Sequence, residues 1–144
     1  MSDTNTAREE WRDIPGFEGR YQVSDMGRVR SLDRRVRVVP HGVETTRLVR
    51  GRILKPGPSR SGHLSVVLGR GNTRSVHALV MLAFEGPCPD GMEVLHLNHT
   101  PGDNRRGNLK YGTRGENVAM DYAVGTRRVH SNFIGARWRA RAAA

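Results

Sequence analysis

The sequence contains few cysteine, lysine and aromatic residues, and it has no long apolar run. Cys88 is the single cysteine in 144 residues, which excludes a disulfide framework and a zinc site built on paired cysteines. No apolar stretch approaches the ~20 residues that a membrane-spanning helix needs, so we expect no membrane partner. Two Trp, three Tyr and three Phe are too few for the stacking platforms of an RNA-binding module.

Positive charge, in contrast, is abundant and unevenly distributed. The chain has 24 Lys+Arg against 14 Asp+Glu, a formal net charge of +10. The surplus is concentrated in residues 27–60 and 126–144, and only Lys55 and Lys110 are lysines. Guanidinium groups pair bidentately with phosphate oxygens, so clustered arginine predicts a nucleic acid partner. The alternative is a solvated surface in a protein from an arginine-rich proteome.

The sequence pattern predicts short strands followed by a smaller helical part. Alternating residues and turn signals predict strands at 21–24, 28–32, 36–39, 46–49, 52–55, 63–68 and 73–76. An apolar run over 77–84 predicts a buried helix, and two further strands are expected at 94–97 and 109–111. Thr113 and Glu116 form a capping-box pattern for a helix that begins at Arg114 and ends at Gly125. The fold class predicted is α+β.

Polar side chains stand at the joints of the strand–loop–strand–helix segment. They are His96, Asn104, Asn108, Asn117 and Asp121. A histidine that closes one strand and a carboxamide on the following helix can face each other across a small ββα unit. Imidazole titrates near neutral pH and can take a proton from water, and a carboxamide oxygen is a hard ligand that suits Mg²⁺. The pattern therefore favours a general base beside a metal ligand.

This segment, VLHLNHTPGDNRRGNLKYGTRGEN, resembles the HNH nuclease motif. Upstream, WRDIPGFEGRYQVSDMGRVRSL resembles the small modular domain of phage and intron-encoded homing endonucleases, and VHALVMLAF with the GPCPDG loop matches the segment leading into the motif. The resemblance covers residues 11 to about 126, with both halves in the family's order. It implies a mostly-β N-terminal module followed by a ββα-metal (HNH, His-Me finger) nuclease core.

The same resemblance implies metal-dependent hydrolysis of phosphodiester bonds in double-stranded DNA. His96 matches the general base, Asn108 the residue that holds the hairpin and the base-bearing loop, and Asn117 a ligand of one divalent ion, Mg²⁺ or Mn²⁺. The expected organisation is a disordered N-terminus at 1–10, a basic module at 11–60, a nuclease domain at 61–125 and a basic tail at 126–144, for which disorder is one interpretation.

The sequence departs from the family at one position of the site. The homing relatives have an Asp directly before the histidine, as a second metal ligand, whereas this chain has Leu95. Asp121, four residues after Asn117, would share a helix face with it and is the replacement we expect, with Asp103 second. The alternative is a DNA-binding protein whose HNH site is degenerate and inactive.

The remaining expectations concern partners and location. We expect phosphate contacts from the arginine-rich segment, at Arg28, Arg30, Arg34, Arg35, Arg37, Arg50, Arg52 and Lys55. No small-molecule cofactor is expected, and the protein is expected to be a monomer. The polar, acidic first residues do not resemble a secretory signal, so the expected location is the cytoplasm of a bacterial host cell.

Overall fold

The computed structural model describes residues 8–125, which form ten short β-strands and two α-helices. This mixed composition confirms the predicted α+β class. The predicted tail at 126–144 and residues 1–7 of the predicted disordered N-terminus lie outside the described residues. The strands are β1 (Trp11–Asp13), β2 (Tyr21–Ser24), β3 (Val29–Ser31), β4 (Arg34–Val38), β5 (Thr45–Val49), β6 (Gly57–Pro58), β7 (Leu64–Val67), β8 (Thr73–Ser75), β9 (Met92–His96) and β10 (Leu109–Thr113), and the helices are α1 (Val76–Phe84) and α2 (Arg114–Val124).

The strands of the described chain form four small sheets. Strands β1, β2 and β3 make an antiparallel sheet in sequence order, and β6, β7 and β8 make another. Strands β4 and β5 form a separate two-stranded antiparallel ribbon, and β9 pairs with β10. The two three-stranded sheets and the β9–β10 pair each contribute residues to one shared hydrophobic cluster, whereas β4 and β5 contribute none.

The core is built around α1, whose sequence VHALVMLAF is apolar on nearly every side. Five of its residues are buried, and the helix packs against β1, β2, β7, β8 and β9. Because a helix that is hydrophobic all round needs cover on all sides, it joins elements that are far apart in sequence. The buried cluster consists of Ile14, Tyr21, Val23, Val29, Val66, Leu68, Val76, Leu79, Val80, Met81, Phe84 and Leu109.

The chain divides into two compact units, Met1–Gly112 and Thr113–Ala144. The boundary expected between residues 60 and 61 lies inside the first unit, and the hydrophobic cluster draws residues from both sides of it. In the described part of the second unit, α2 begins as predicted. The Thr113 side chain accepts a hydrogen bond from the amide of Glu116, the Glu116 carboxylate accepts one from the amide of Thr113, and Gly125 ends the helix at a φ of 74°.

The strand predicted at 52–55 is wrong. Residues Arg52 and Leu54 each make one backbone hydrogen bond to β3, and only Ile53 forms an isolated bridge, with Arg30. Pro56 has no amide to donate, so the pairing stops there. Two short strands, β1 and β6, were not predicted. The second contains Pro58, which is tolerated because β6 lies at the edge of its sheet.

No helix among residues 8–125 is long and apolar enough to cross a membrane.

A matched pair of isoleucine substitutions tests whether both halves of the first unit share one core. Ile14 is fully buried, whereas Ile53 is 48% exposed. We expect Ile14→Ala to lower the free energy of unfolding by ~2–5 kcal/mol and Ile53→Ala by much less. Urea unfolding monitored separately by Trp fluorescence and far-UV circular dichroism should shift as one transition. A shift seen by only one probe would show that the halves fold independently.

Candidate active site

His96 is the last residue of β9, and its side chain is only 9% exposed. The loop that joins β9 to β10 returns to it through Asn104, whose Oδ1 lies 3.0 Å from Nε2 of His96. A carboxamide oxygen can only accept a hydrogen bond, so Nε2 carries the proton and donates it to Asn104. The lone pair of the neutral ring is therefore on Nδ1, and this is the tautomer of a general base that acts through Nδ1.

Three histidines from separate elements meet at this position and form what we call the histidine triangle. His77 is the second residue of α1, and His63 directly precedes β7. The ring centroids are 5.1 Å apart for His63 and His77, 5.4 Å for His63 and His96, and 5.3 Å for His77 and His96. Nδ1 of His63 lies 2.8 Å from the hydroxyl of Ser61. The flanking rings thus restrict the space in which His96 can rotate.

Both flanking rings are neutral at neutral pH. Burial, followed by repulsion from His96 and His63, lowers the pKa of His77 from 6.5 to about 4. Burial and repulsion from His96 also lower the pKa of His63. Neither neighbour therefore places a positive charge beside His96 when that ring accepts a proton.

Two buried side-chain atoms in residues 8–125 have no hydrogen-bond partner, and both belong to residues that contact His96. They are Nδ1 of His77 and Nδ2 of Asn104. An unpaired buried polar group costs ~1–3 kcal/mol, and such exceptions occur preferentially at functional sites. Their position supports a site that is completed by water or substrate.

Asn108 fixes the loop that carries Asn104. Its Oδ1 accepts a hydrogen bond from the amide of Asn98 at 3.0 Å, and its Nδ2 donates to Oδ1 of Asn98 at 2.8 Å and to the carbonyl of Asp103 at 2.9 Å. The side chain is 9% exposed, so these bonds are shielded from water. This is the geometry that the loop-holding role expected for Asn108 requires.

Asp103, the second choice for a metal ligand, is engaged within the same loop. Its carboxylate accepts hydrogen bonds from Nε and Nη2 of Arg105 at 2.8 and 2.7 Å and from Nδ2 of Asn98 at 2.8 Å. The Arg105 contact lowers the pKa of Asp103 to about 2. A carboxylate with these partners is an organiser of the loop and must lose contacts before it can bind a metal ion.

The turn between β2 and β3 is fitted closely against the same loop. Gly27 has a φ of +82°, and a Cβ there would lie 2.9 Å from three atoms of Asn104. Two positions earlier in the turn, the carbonyl of Asp25 accepts a hydrogen bond from the amide of Arg106 at 2.7 Å. The N-terminal part of the chain thereby helps to hold the residue that orients His96.

Asn117 and Asp121 are four residues apart on α2, so both side chains project from one face of that helix. Both are partly buried. Their carboxamide and carboxylate oxygens are the hard donors that Mg²⁺ and Mn²⁺ prefer, so the donor set fits the expected ion. Leu95 is only 1% exposed, which leaves its position unsuited to a carboxylate. In residues 8–125, no three His, Cys, Asp or Glu are grouped so that they could hold a metal ion by themselves.

The eight basic residues expected to bind phosphate do not form one stripe. Arg28 and Arg30 lie over the ring of Trp11, at 5.6 and 4.1 Å from its centroid, and they bond to Glu9 and Gln22 respectively. These two arginines therefore cover the first sheet. Arg34, Arg35 and Arg37 lie on β4. Arg50 lies just beyond β5 and forms an ion pair with Asp33 at 3.0 Å. Arg52 and Lys55 belong to the segment after β5 that makes no regular strand.

We call residues 34–49, the β4–β5 pair with its turn, the arginine ribbon. Arg34 lies opposite Val49 and Val36 opposite Arg47, so Arg34 and Arg47 share one face. Arg35 and Arg37 occupy the other face. The ribbon thus presents cations on both sides.

The structure adds contacts to the site that the sequence does not predict. Asn104 is among the polar residues expected at the joints, but its hydrogen bond to His96 is not predicted, and His63 and His77 belong to no expected site. A histidine at the start of an otherwise apolar helix was a usable signal, because burial of a titratable ring needs a reason. The separation of His63 from His96 by two strands and a helix leaves no pattern in the sequence.

Two family models match the chain. The NUMOD4 motif matches residues 9–69, and the HNH endonuclease model matches residues 74–119. The first range includes His63, and the second includes His77, His96, Asn104 and Asn108. The histidine triangle is therefore assembled from both matched segments.

The chain is also similar to DNA endonuclease I-HmuI of Bacillus phage SP01. The two are 32% identical over 117 residues, which is 81% of this chain and 60% of the relative, so the chain spans about 60% of that protein's length. A solved structure described as DNA binding and cleavage by the HNH homing endonuclease I-HmuI matches with a TM-score of 0.65 and 30% identity. The match covers 89% of this chain and 66% of that one.

The lowered pKa of His77 predicts a loss of stability in acid. Between pH 6.5 and about 4 the unfolded chain holds a proton on this residue that the folded chain lacks, so stability is complete above pH 6.5 and falls as the pH drops towards 4. The slope of unfolding free energy against pH reports how many more protons the unfolded chain binds than the folded chain. We expect His77→Asn to reduce that number by up to one in this window. Urea denaturation at several pH values measures it, with His41→Asn, at an exposed position, as the control. An unchanged slope in His77→Asn would contradict the assignment.

Proposed function

Since the chain belongs to the family of HNH homing-type endonucleases with an N-terminal NUMOD4 module, we propose that it hydrolyses phosphodiester bonds in double-stranded DNA. The observation that carries the proposal is the buried His96, whose Nε2 proton is held by Asn104. The solved relative is described as binding and cleaving DNA, which supports the same substrate here.

In the proposed reaction, Nδ1 of His96 takes a proton from a water molecule as its oxygen attacks the phosphorus. The bond from phosphorus to the 3′ oxygen breaks, and that oxygen leaves with a proton from solvent. The hydrogen bond from Nε2 to Asn104 persists and strengthens when the ring becomes positively charged. His63 and His77 restrict the ring, and their neutrality leaves the new charge unopposed.

A divalent ion, when bound, neutralises charge on the phosphate and on the leaving oxygen. Asn117 and Asp121 would hold it through their side-chain oxygens, with phosphate and water as the other ligands. Leu95 cannot contribute, so Asp121 takes the part that an Asp before the histidine has in the relatives. Which of Mg²⁺ and Mn²⁺ is used, and the number of one ion per site, belong to this proposal.

The alternative of an inactive DNA-binding protein depends on Leu95 alone. The hydrogen-bond network of the β9–β10 loop argues against this alternative. Asn108 bonds to Asn98 and Asp103, and Asn104 bonds to His96. The active enzyme is therefore the better-supported proposal.

The proposed partner is double-stranded DNA, bound by the protein as a monomer in the cytoplasm of a bacterial host. The net charge of +10 favours any polyanion, and the exposed Arg35 and Arg47 lie on opposite faces of the arginine ribbon, whereas Arg37 is paired with Glu44. Arg28 and Arg30 are already engaged with Trp11 and with other side chains, so their contribution requires those contacts to be shared or exchanged.

The test separates cleavage from binding. We expect His96→Ala to abolish cleavage of supercoiled plasmid in Mg²⁺ or Mn²⁺ while DNA affinity, measured in EDTA, changes less than twofold, because a neutral ring contributes little to phosphate binding. Asn104→Ala should reduce the cleavage rate by ~10- to 100-fold, since the base then loses its tautomeric control.

Asn72→Ala, a partly buried asparagine of the β7–β8 turn, is the control and should cleave normally. Wild-type cleavage by His96→Ala would refute the mechanism. Equal losses of affinity and cleavage would instead make His96 a binding residue.

A further inference from the structure

The end of the arginine ribbon is apolar and exposed. Val43 and Val39 are 66% and 62% exposed, the highest fractions among the large hydrophobic residues of the described chain. They flank the 3-10 turn Pro40–Gly42, in which His41 adopts a left-handed conformation with a φ of 52°. Single exposed valines are ordinary, but two that flank a proline at the end of a projecting ribbon form a small apolar tip. We call Val39, Pro40 and Val43 the ribbon tip.

The charges on the ribbon show which kind of surface it fits. A sheet that lies flat on DNA needs cations on one face only. Here Arg34 and Arg47 occupy one face, and Arg35 occupies the other together with Arg37, which is paired with Glu44. Each face therefore keeps at least one unpaired charge among these arginines, and the ribbon suits a space with phosphates on two sides. The major groove is about 12 Å wide and admits a two-stranded ribbon between its phosphate walls.

Strand geometry places the tip and the arginines at matching depths. At a rise of about 3.3 Å per residue, Arg37 lies ~7 Å and Arg35 ~13 Å behind Val39. The major groove is about 8.5 Å deep. A ribbon that enters tip first therefore reaches the base edges with Val39 and Val43 while its arginines remain near the phosphates. The apolar group on that groove floor is the 5-methyl group of thymine.

We propose that the arginine ribbon enters the major groove tip first and that Val39 and Val43 contact thymine methyl groups, which makes the ribbon tip a specificity element for thymine. This inference rests on the proposed function, because it requires double-stranded DNA as the partner. It goes further by assigning base contact to two residues that carry no charge and belong to no catalytic motif.

Binding to two 24-base-pair duplexes of alternating dA-dT and alternating dA-dU tests the inference. The duplexes differ only in the 5-methyl groups, and every register presents one. Affinities are measured by fluorescence anisotropy in EDTA at several salt concentrations, so that cleavage does not interfere. We expect the wild-type protein to bind the dT duplex about fourfold more tightly for each methyl group that it buries.

The double variant Val39→Ser/Val43→Ser removes all four valine methyl groups, whereas threonine would keep a methyl group that can itself contact thymine. We expect it to bind both duplexes equally, with the wild-type salt dependence. Val67→Ser is the matched control, because Val67 is 58% exposed on β7, and it should keep the wild-type preference.

The inference is overturned if wild type binds both duplexes equally, or if the double variant keeps the preference. It is also overturned if the variant loses the same factor on both duplexes, since the tip then contacts something other than methyl groups. If the protein still binds both duplexes with salt-dependent affinity in any of these three outcomes, the proposed function stands and only the inference fails. If no form of the protein binds either duplex, the proposed function fails together with the inference.

Discussion

The hydrogen bond from Nε2 of His96 to Oδ1 of Asn104 is the interaction on which the proposed chemistry depends. It selects the tautomer and leaves Nδ1 as the basic atom. The loop that supplies Asn104 is in turn fixed by Asn108, which bonds to Asn98 and Asp103 of the same loop. The absence of a side chain at Gly27 allows the β2–β3 turn to close against Asn104. A change at any of these positions reaches the base through one or two contacts.

This arrangement makes the NUMOD4-matched segment a structural part of the fold that carries the candidate site. The segment supplies His63 to the histidine triangle and the turn around Gly27 that lies against Asn104. It also supplies Ile14, Tyr21 and Val23 to the core that covers α1. An appended DNA-binding module would have a core of its own. Here the small sheets and the helix bury their apolar faces together, as expected for elements that are each too small to fold alone.

Patterns within a short window of sequence predicted much of this structure. The capping box of Thr113 and Glu116, the apolar run of α1 and strands close to β4 and β5 were all predicted, because each depends on neighbouring residues. The segment after β5 was predicted wrongly, since its residues favour a strand while Pro56 and the limited partner edge prevent one. The roles of His96, Asn108 and Asn117 are predictions that come from resemblance to a family and not from local pattern. His63, His77 and the contact of Gly27 with Asn104 were not found, because they join elements that meet only through tertiary packing.

The tautomer of His96 is the most direct test of the account. Nitrogen-15 spectra of the imidazole groups at pH 7.5, with His96 assigned by its substitution, report which ring nitrogen carries the proton. The account predicts a protonated Nε2 and an unprotonated Nδ1 in the wild-type protein, with this preference lost in Asn104→Ala. A proton on Nδ1 of His96 in the wild-type protein would contradict it, because the atom assigned as the base would then have no lone pair to accept a proton from water.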